Sequence, residues 1–126
     1  MKNLLFLFFA IVALTGCQAQ QNGKELVSPD VFESKIKDAE QLIDVRTPKE
    51  YKNGHIADAV NMHIYDKDFD ERLDTLDKTK TVYVYCKLGG RSAEAVEIMQ
   101  QKGFKHIVEL DGGIDAWDES GKPVKK

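Results

Sequence analysis

TVYVYCKLGGRSAEAVEIMQQK, residues 81–102, is the stretch whose reading decides the fold. It opens as a β-branched and aromatic strand, passes through a short glycine loop and continues as an amphipathic helix. The run TVYVY has no polar alternation, which predicts a central strand buried on both faces. Cys86 stands where that strand ends. Gly89 and Gly90 lack a Cβ, so the loop can bend tightly. The helix is expected to start at Arg91 or Ser92, with Ala93, Val96, Ile98 and Met99 as apolar anchors. Amides of the loop and of the first helical turn then point inward. With the helix dipole they favour a thiolate on Cys86 and an anion above it, and Arg91 and Lys87 add positive charge. A cysteine at a strand end is more often a small buried hydrophobe. Two glycines, an arginine and a helix start within the next few residues shift the balance towards a nucleophile.

Outward from this stretch, strands and helices alternate at short intervals. Residues 24–27 are a strand candidate. Ser28-Pro29-Asp30 begins a helix running to Lys37, because Ser28 can cap and Pro29 suits the first helical position. Residues 41–45 are the next strand, made apolar by Leu42, Ile43 and Val45 and interrupted by Asp44. Thr47-Pro48-Lys49-Glu50 forms a capping box before a short helix ending at Asn53-Gly54. Residues 59–62 are extended, and 69–76 read as a helix from the spacing of Phe69, Leu73 and Leu76. The last strand is 107–110, followed by Asp111-Gly112-Gly113 and a helical turn that can bury Ile114 and Trp117. Such alternation predicts an α/β fold in three layers, a mainly parallel central sheet with helices on both faces. Ligands in such sheets lie at the carboxyl ends of the strands, where Cys86 already is.

The N-terminus reads differently. Residues 4–14, LLFLFFAIVAL, are apolar throughout, too short to span a bilayer but suited to a signal-peptide core. Leu14-Thr15-Gly16-Cys17 follows directly and resembles the bacterial lipoprotein signal, with a plain secretory peptide as the alternative. That resemblance implies a signal peptide over 1–16, a lipidated Cys17 and a flexible tether over 17–23, then the folded domain over 24–126. About 110 residues remain after cleavage, enough for one domain with one core. Gln18 in place of Asp, by resemblance to Gram-negative sorting, implies the outer membrane if the cell is Gram-negative, with the domain on its periplasmic side. The expected localisation is therefore exported and lipid-anchored in the cell envelope.

Composition narrows the partners. The chain has 126 residues, a formal net charge of −3 and two cysteines. No basic stripe or arginine–aromatic interleaving argues for nucleic acid. With Cys17 lipidated, Cys86 is the only thiol left, and an unpaired cysteine in an exported chain signals reactivity. His55, His63 and His106 fit no short metal-ligand spacing. His55 is expected in a turn or lining the site, the other two on the surface.

Three blocks together resemble a single-domain rhodanese, a sulfurtransferase. They are Leu42-Ile43-Asp44-Val45-Arg46-Thr47-Pro48-Lys49-Glu50-Tyr51 continuing through Gly54-His55-Ile56; Cys86-Lys87-Leu88-Gly89-Gly90-Arg91-Ser92; and Leu110-Asp111-Gly112-Gly113 with Ala116-Trp117. The resemblance spans residues 26–124. It implies a rhodanese-like domain in which Cys86 takes a sulfane sulfur from thiosulfate or a persulfide, becomes a persulfide, and passes the sulfur to a thiol or cyanide. Lys87, Leu88, Gly89, Gly90, Arg91 and Ser92 match the substrate cradle, and Asp44 and Arg46 match a supporting pair. An ion pair is expected between Asp44 and an arginine near the loop. No metal or organic cofactor is implied. The partners implied are a small sulfur donor, a thiophilic acceptor and a thiol-containing protein, with the membrane reached only through the lipid.

Three rivals stand beside this reading. A cysteine phosphatase or arsenate reductase needs a longer loop, and Arg91 arrives one place early for it. A membrane-tethered sulfur carrier or redox partner would use the same cysteine with little activity on free thiosulfate. An inactive binding domain would have no need of Cys86 and its glycine loop.

Overall fold

The computed structural model describes residues 23–126, so the expected signal peptide, Cys17 and residues 18–22 of the tether lie outside the described residues. The elements run β1 (Lys24–Val27), α1 (Pro29–Ile36), β2 (Leu42–Asp44), α2 (Pro48–Lys52), β3 (Val60–Asn61), α3 (Phe69–Leu73), β4 (Val82–Tyr85), α4 (Gly90–Gln101), β5 (Ile107–Leu110) and α5 (Gly113–Glu119). The described strands form one five-stranded sheet in the order β1-β5-β4-β2-β3. Every pairing is parallel. β4 lies at the centre, as its unbroken apolar run requires, with Val82, Val84 and Tyr85 fully buried.

Helices cover both faces. On one, Val82, Val84 and Ile107 of the sheet pack with Phe69 and Leu73 of α3 and Ala95, Val96 and Met99 of α4. On the other, Tyr85, Val108 and Leu110 pack with Phe32 of α1 and Ile114 and Trp117 of α5. Phe32 meets the Trp117 ring edge-on at 6.3 Å. Each such side chain contributes roughly 1.5–3 kcal/mol by leaving water. The three-layer α/β architecture expected from the sequence is the one observed.

Local signals explain the helix starts. Ser28 Oγ accepts from the Val31 amide, with Pro29 in the first turn of α1. Thr47 and Glu50 close a reciprocal capping box on α2.

Three details differ from the sequence reading. The α4 helix begins at Gly90, one residue early, because Gly89 supplies a left-handed backbone (φ +131) in place of a side-chain cap. Its buried stripe is Ser92, Ala95, Val96 and Met99, while Ala93 is exposed. The stripe keeps ideal helical spacing, but a polar residue starts it, which hid its register. The α3 helix ends at Leu73 and not at Leu76. There Thr75 Oγ1 donates to the Arg72 carbonyl at 2.6 Å, and Leu76 N reaches back only to Leu73 O at 3.0 Å, so the last turn tightens. Leu76 still packs against the core.

Candidate active site

The central strand delivers Cys86 to the carboxyl end of the sheet, directly before the N-terminus of α4. Cys86 is 1 % exposed. Its Sγ accepts from the Gly89 amide at 3.0 Å and lies 3.4 Å from Ser92 Oγ. Lys87 and Leu88 form the exposed shoulder of the loop. Nothing lies within 4 Å of the position a Cβ would take on Gly89 or Gly90. The mouth of the loop is therefore open, while the sulfur at its base is enclosed. Amides in the first turn of any helix have no intrahelical carbonyl, and those of α4 begin at this loop. The arrangement can hold a sulfur nucleophile with anion-stabilising dipoles on one side.

A second helix start braces the loop from below. The amide of Ile114 donates to the Cys86 carbonyl at 2.9 Å, and that of Asp115 to the Lys87 carbonyl at 3.2 Å. Gly112 (φ +77) and Gly113 (φ +63) turn the chain so that α5 can present those amides. The glycine pair thus has a specific task.

The charged residues are arranged otherwise than the sequence suggested. Arg91 does not stand free over the cradle. Its guanidinium forks onto both oxygens of Glu50 at 2.7 and 2.9 Å, tying the first turn of α4 to α2. That hydrogen bond holds the Glu50 carboxyl down at about 2, against the upward push of burial and with help from Thr47. Lys87 likewise turns away, its Nζ lying 2.6 Å from Asp115 Oδ2 on α5. Both expected anion contacts are therefore engaged in ion pairs between elements.

Asp44 pairs with Arg46 of its own segment and not with the loop arginine. Arg46 Nη2 lies 2.7 Å from Asp44 Oδ2, and its Nε contacts both carboxylate oxygens. Arg46 Nη2 also donates to the Gly54 carbonyl at 2.7 Å, and its Cζ sits 5.7 Å from the Tyr85 ring centroid. Burial pushes the Arg46 guanidinium down, but the bond and charge of Asp44, with the charges of Tyr85 and Glu50, leave it raised. Asn61 Nδ2 donates to the carbonyls of Asp44 and Arg46. The pair thus makes its contacts with the backbone frame beneath the loop.

His55 has a turn role, stacked on Tyr51 at 3.7 Å with Nδ1 2.8 Å from the Tyr51 carbonyl. Trp117 is core, its Nε1 donating to the Pro123 carbonyl. Sequence reasoning missed Glu109, whose Oε2 lies 2.7 Å from Ser92 Oγ. Its signal was a single carboxylate inside the apolar strand IVEL. A cavity of about 200 Å³ beside the loop is lined by Arg46, Glu50, Gly54, Lys87, Ile114 and Asp115. A larger one, about 730 Å³, lies at the opposite pole among Lys24, Lys35, Lys105 and His106, away from this chemistry.

Residues 28–120 match the family described as the rhodanese-like domain. The chain belongs to that family. The match runs from α1 to α5 and takes in the Cys86 loop and both helix starts at it, leaving only β1 of the described elements before it. Among its relatives is the thiosulfate sulfurtransferase PspE of Escherichia coli K12, 41 % identical over 86 residues, which are 67 % of this chain and 80 % of that protein. A sulfurtransferase of Allochromatium vinosum is 36 % identical over 85 residues, 66 % of this chain and 76 % of that protein. Bacillus subtilis YqhL, an uncharacterised protein, is 31 % identical over 122 residues, covering 97 % of this chain and 94 % of its own. The crystal structure of a rhodanese-related protein from Thermoplasma volcanium superposes with a TM-score of 0.71 at 36 % identity, covering 80 % of this chain and 97 % of that one. Membership supports a sulfurtransferase type of activity at the level of the family.

Proposed function

We propose that this rhodanese-like domain moves a sulfane sulfur from thiosulfate or a persulfide to a thiophilic acceptor through a persulfide on Cys86. The observation that carries the reading is the Gly89 N–H···Sγ contact at the base of an open glycine loop, at the start of α4. In the first step the Cys86 thiolate attacks the outer sulfur of thiosulfate. The new bond is Sγ–S; the bond to the sulfonate sulfur breaks, and sulfite leaves with its electron pair. Amides along residues 87–92 stabilise the charge on the transferred sulfur. In the second step an acceptor thiol or cyanide attacks the outer sulfur, the Sγ–S bond breaks, and the thiolate returns. This is two-step covalent catalysis with ping-pong kinetics. Asp44 and Arg46 support the loop and take no part in the bond changes.

A second reading, a sulfur carrier served by another protein, draws on the ion pairs. Arg91 faces Glu50 and Lys87 faces Asp115, so neither cation is free to greet a doubly charged donor. A neutral persulfide or a protein donor needs no such cation. For the N-terminus we retain the proposal of a lipoprotein leader over 1–16 and acylation at Cys17, supported by Leu14-Thr15-Gly16-Cys17 after the apolar run. It would hold the domain in the cell envelope, on the periplasmic side of an outer membrane in a Gram-negative cell. A lipidated Cys17 anchors firmly because each buried CH₂ adds about 0.8 kcal/mol.

Intact-mass measurement of the full chain tests the chemistry. Thiosulfate should add one sulfur atom, cyanide should remove it, and Cys86→Ser should take up none while keeping its thermal melt. Uptake from a small persulfide but not from thiosulfate selects the carrier. Undiminished uptake by Cys86→Ser refutes the assignment.

A further inference from the structure

Beneath the sulfur lies a short chain of polar atoms. Ser92 is fully buried on the first turn of α4. Its Oγ stands 3.4 Å from Cys86 Sγ, 3.1 Å from the Gly89 carbonyl and 2.7 Å from Glu109 Oε2. A hydroxyl has one hydrogen to give. The Gly89 carbonyl alone could have taken it, yet the closest partner is a carboxylate projecting from β5. A half-buried carboxylate in an apolar strand is costly to hold, and the Ser92 hydroxyl supplies a hydrogen bond that offsets part of that cost. We propose that Glu109 accepts the proton of the Cys86 thiol through the Ser92 hydroxyl. This rests on the reading of Cys86 as the nucleophile.

The atoms balance along the line S–O–O. In the resting site the thiol donates to Ser92 Oγ, and the Ser92 hydroxyl donates to the Glu109 carboxylate. On activation the S–H bond breaks and its proton joins Ser92 Oγ, while the original Ser92 proton moves to Glu109 Oε2. The product is a thiolate, an intact serine and a carboxylic acid. Ser92 then donates to the thiolate beside the Gly89 amide. Negative charge moves from carboxylate to sulfur, and the net charge of the enclosed site does not change. That avoids the large cost of creating a new buried charge. The proton returns by the same route when the cycle ends. Glu109 touches no substrate; it is a positioning residue that acts through Ser92.

The surroundings suit an acceptor. Burial pushes the Glu109 carboxyl up, the Ser92 bond and Lys24 of β1 draw it down, and Asp111 at the end of β5 adds to the rise. On the other element of the pair, Arg91 of α4 and the Tyr65 phenol lie within electrostatic reach of Cys86.

Iodoacetamide alkylation against pH reads the relay in the full chain, followed by mass at the Cys86 peptide so that Cys17 does not interfere. It needs no sulfur donor, so its outcome is independent of whether thiosulfate is a substrate. The wild-type rate should climb in two steps, the acid one set by Glu109. In Glu109→Gln, which keeps size and hydrogen bonding, only one step should remain, and the rate at pH 7 should fall about tenfold, towards that of a thiol only a few per cent ionised. Ser92→Ala should lose the same step, and the double variant should be no slower than Ser92→Ala alone. An unchanged Glu109→Gln profile overturns the proposal. So does a faster one, which would make Glu109 a charge that merely opposes the thiolate. Should Glu109→Gln fail to fold, persistence of the acid step in Ser92→Ala overturns it.

Discussion

Replacing Gly113 with alanine should weaken the fold and the loop together. A Cβ there would stand 2.6 Å from the Cys86 carbonyl oxygen and closer still to the Lys87 carbonyl. Both obstacles are backbone, so neither can rotate aside. The residue also has φ +63, where an L side chain costs about 1–2 kcal/mol. Overpacking adds roughly 1–3 kcal/mol. The expected loss is about 2–5 kcal/mol, a large share of the 5–15 kcal/mol typical of a domain. Relief would come by pushing α5 off the loop, stretching the Ile114 N–H···O bond to Cys86. Gly90→Ala is the internal contrast. A Cβ there would meet nothing within 4 Å and the residue begins α4, so alanine should be neutral or stabilise by up to about 1 kcal/mol. Urea unfolding of both variants, followed by the rate of Cys86 alkylation, supplies the comparison. If Gly113→Ala unfolds within about 0.5 kcal/mol of Gly90→Ala, the contact between α5 and the loop is not the rigid brace described, since extrapolation error would then cover the whole effect.

Two further tests address the ion pairs. Arg46→Ala leaves Asp44, fully buried, without its counter-charge, and should cost about 3–5 kcal/mol in urea unfolding; a loss under about 1 kcal/mol would mean that Asp44 finds another partner. Glu50 is held at about 2 in the folded chain against an ordinary 4.5, so its contribution is present above pH 4.5 and is lost as pH falls towards 2. Melting temperatures of Glu50→Gln should therefore show a shallower acid limb over that window, and a limb parallel to the wild type would remove Arg91–Glu50 from the account.

The Cys86 loop was legible because its signals are local: a β-branched run, two glycines and a helical period follow one another within a single stretch. The N-cap at Ser28 and the capping box at Thr47 were legible for the same reason. What the sequence hid was pairing between elements. Arg91 finds Glu50 across 41 positions, and Ser92 finds Glu109 across 17. Periodicity carries no information on which side chains meet across a sheet. The same blindness made Arg91 and Lys87 look like unclaimed cations. The register of α4 was hidden differently, since a buried serine at the head of the stripe made Ala93 look more apolar than its place allowed.

The position of β5 bears on how the chain comes together. It is the last strand described, yet it sits between β1 and β4, with Ile107 registered against both Lys24 and Val82. Until residues 107–110 exist and dock, β1 has no neighbour and β4 keeps one bare edge. The sheet therefore assembles from contacts far apart in sequence, which makes closure a late and comparatively slow event. A chain emerging from its N-terminus carries an unpaired first strand for most of its synthesis. On the proposed export route, that same order keeps the leading segment from locking into a finished domain before the remainder has followed it.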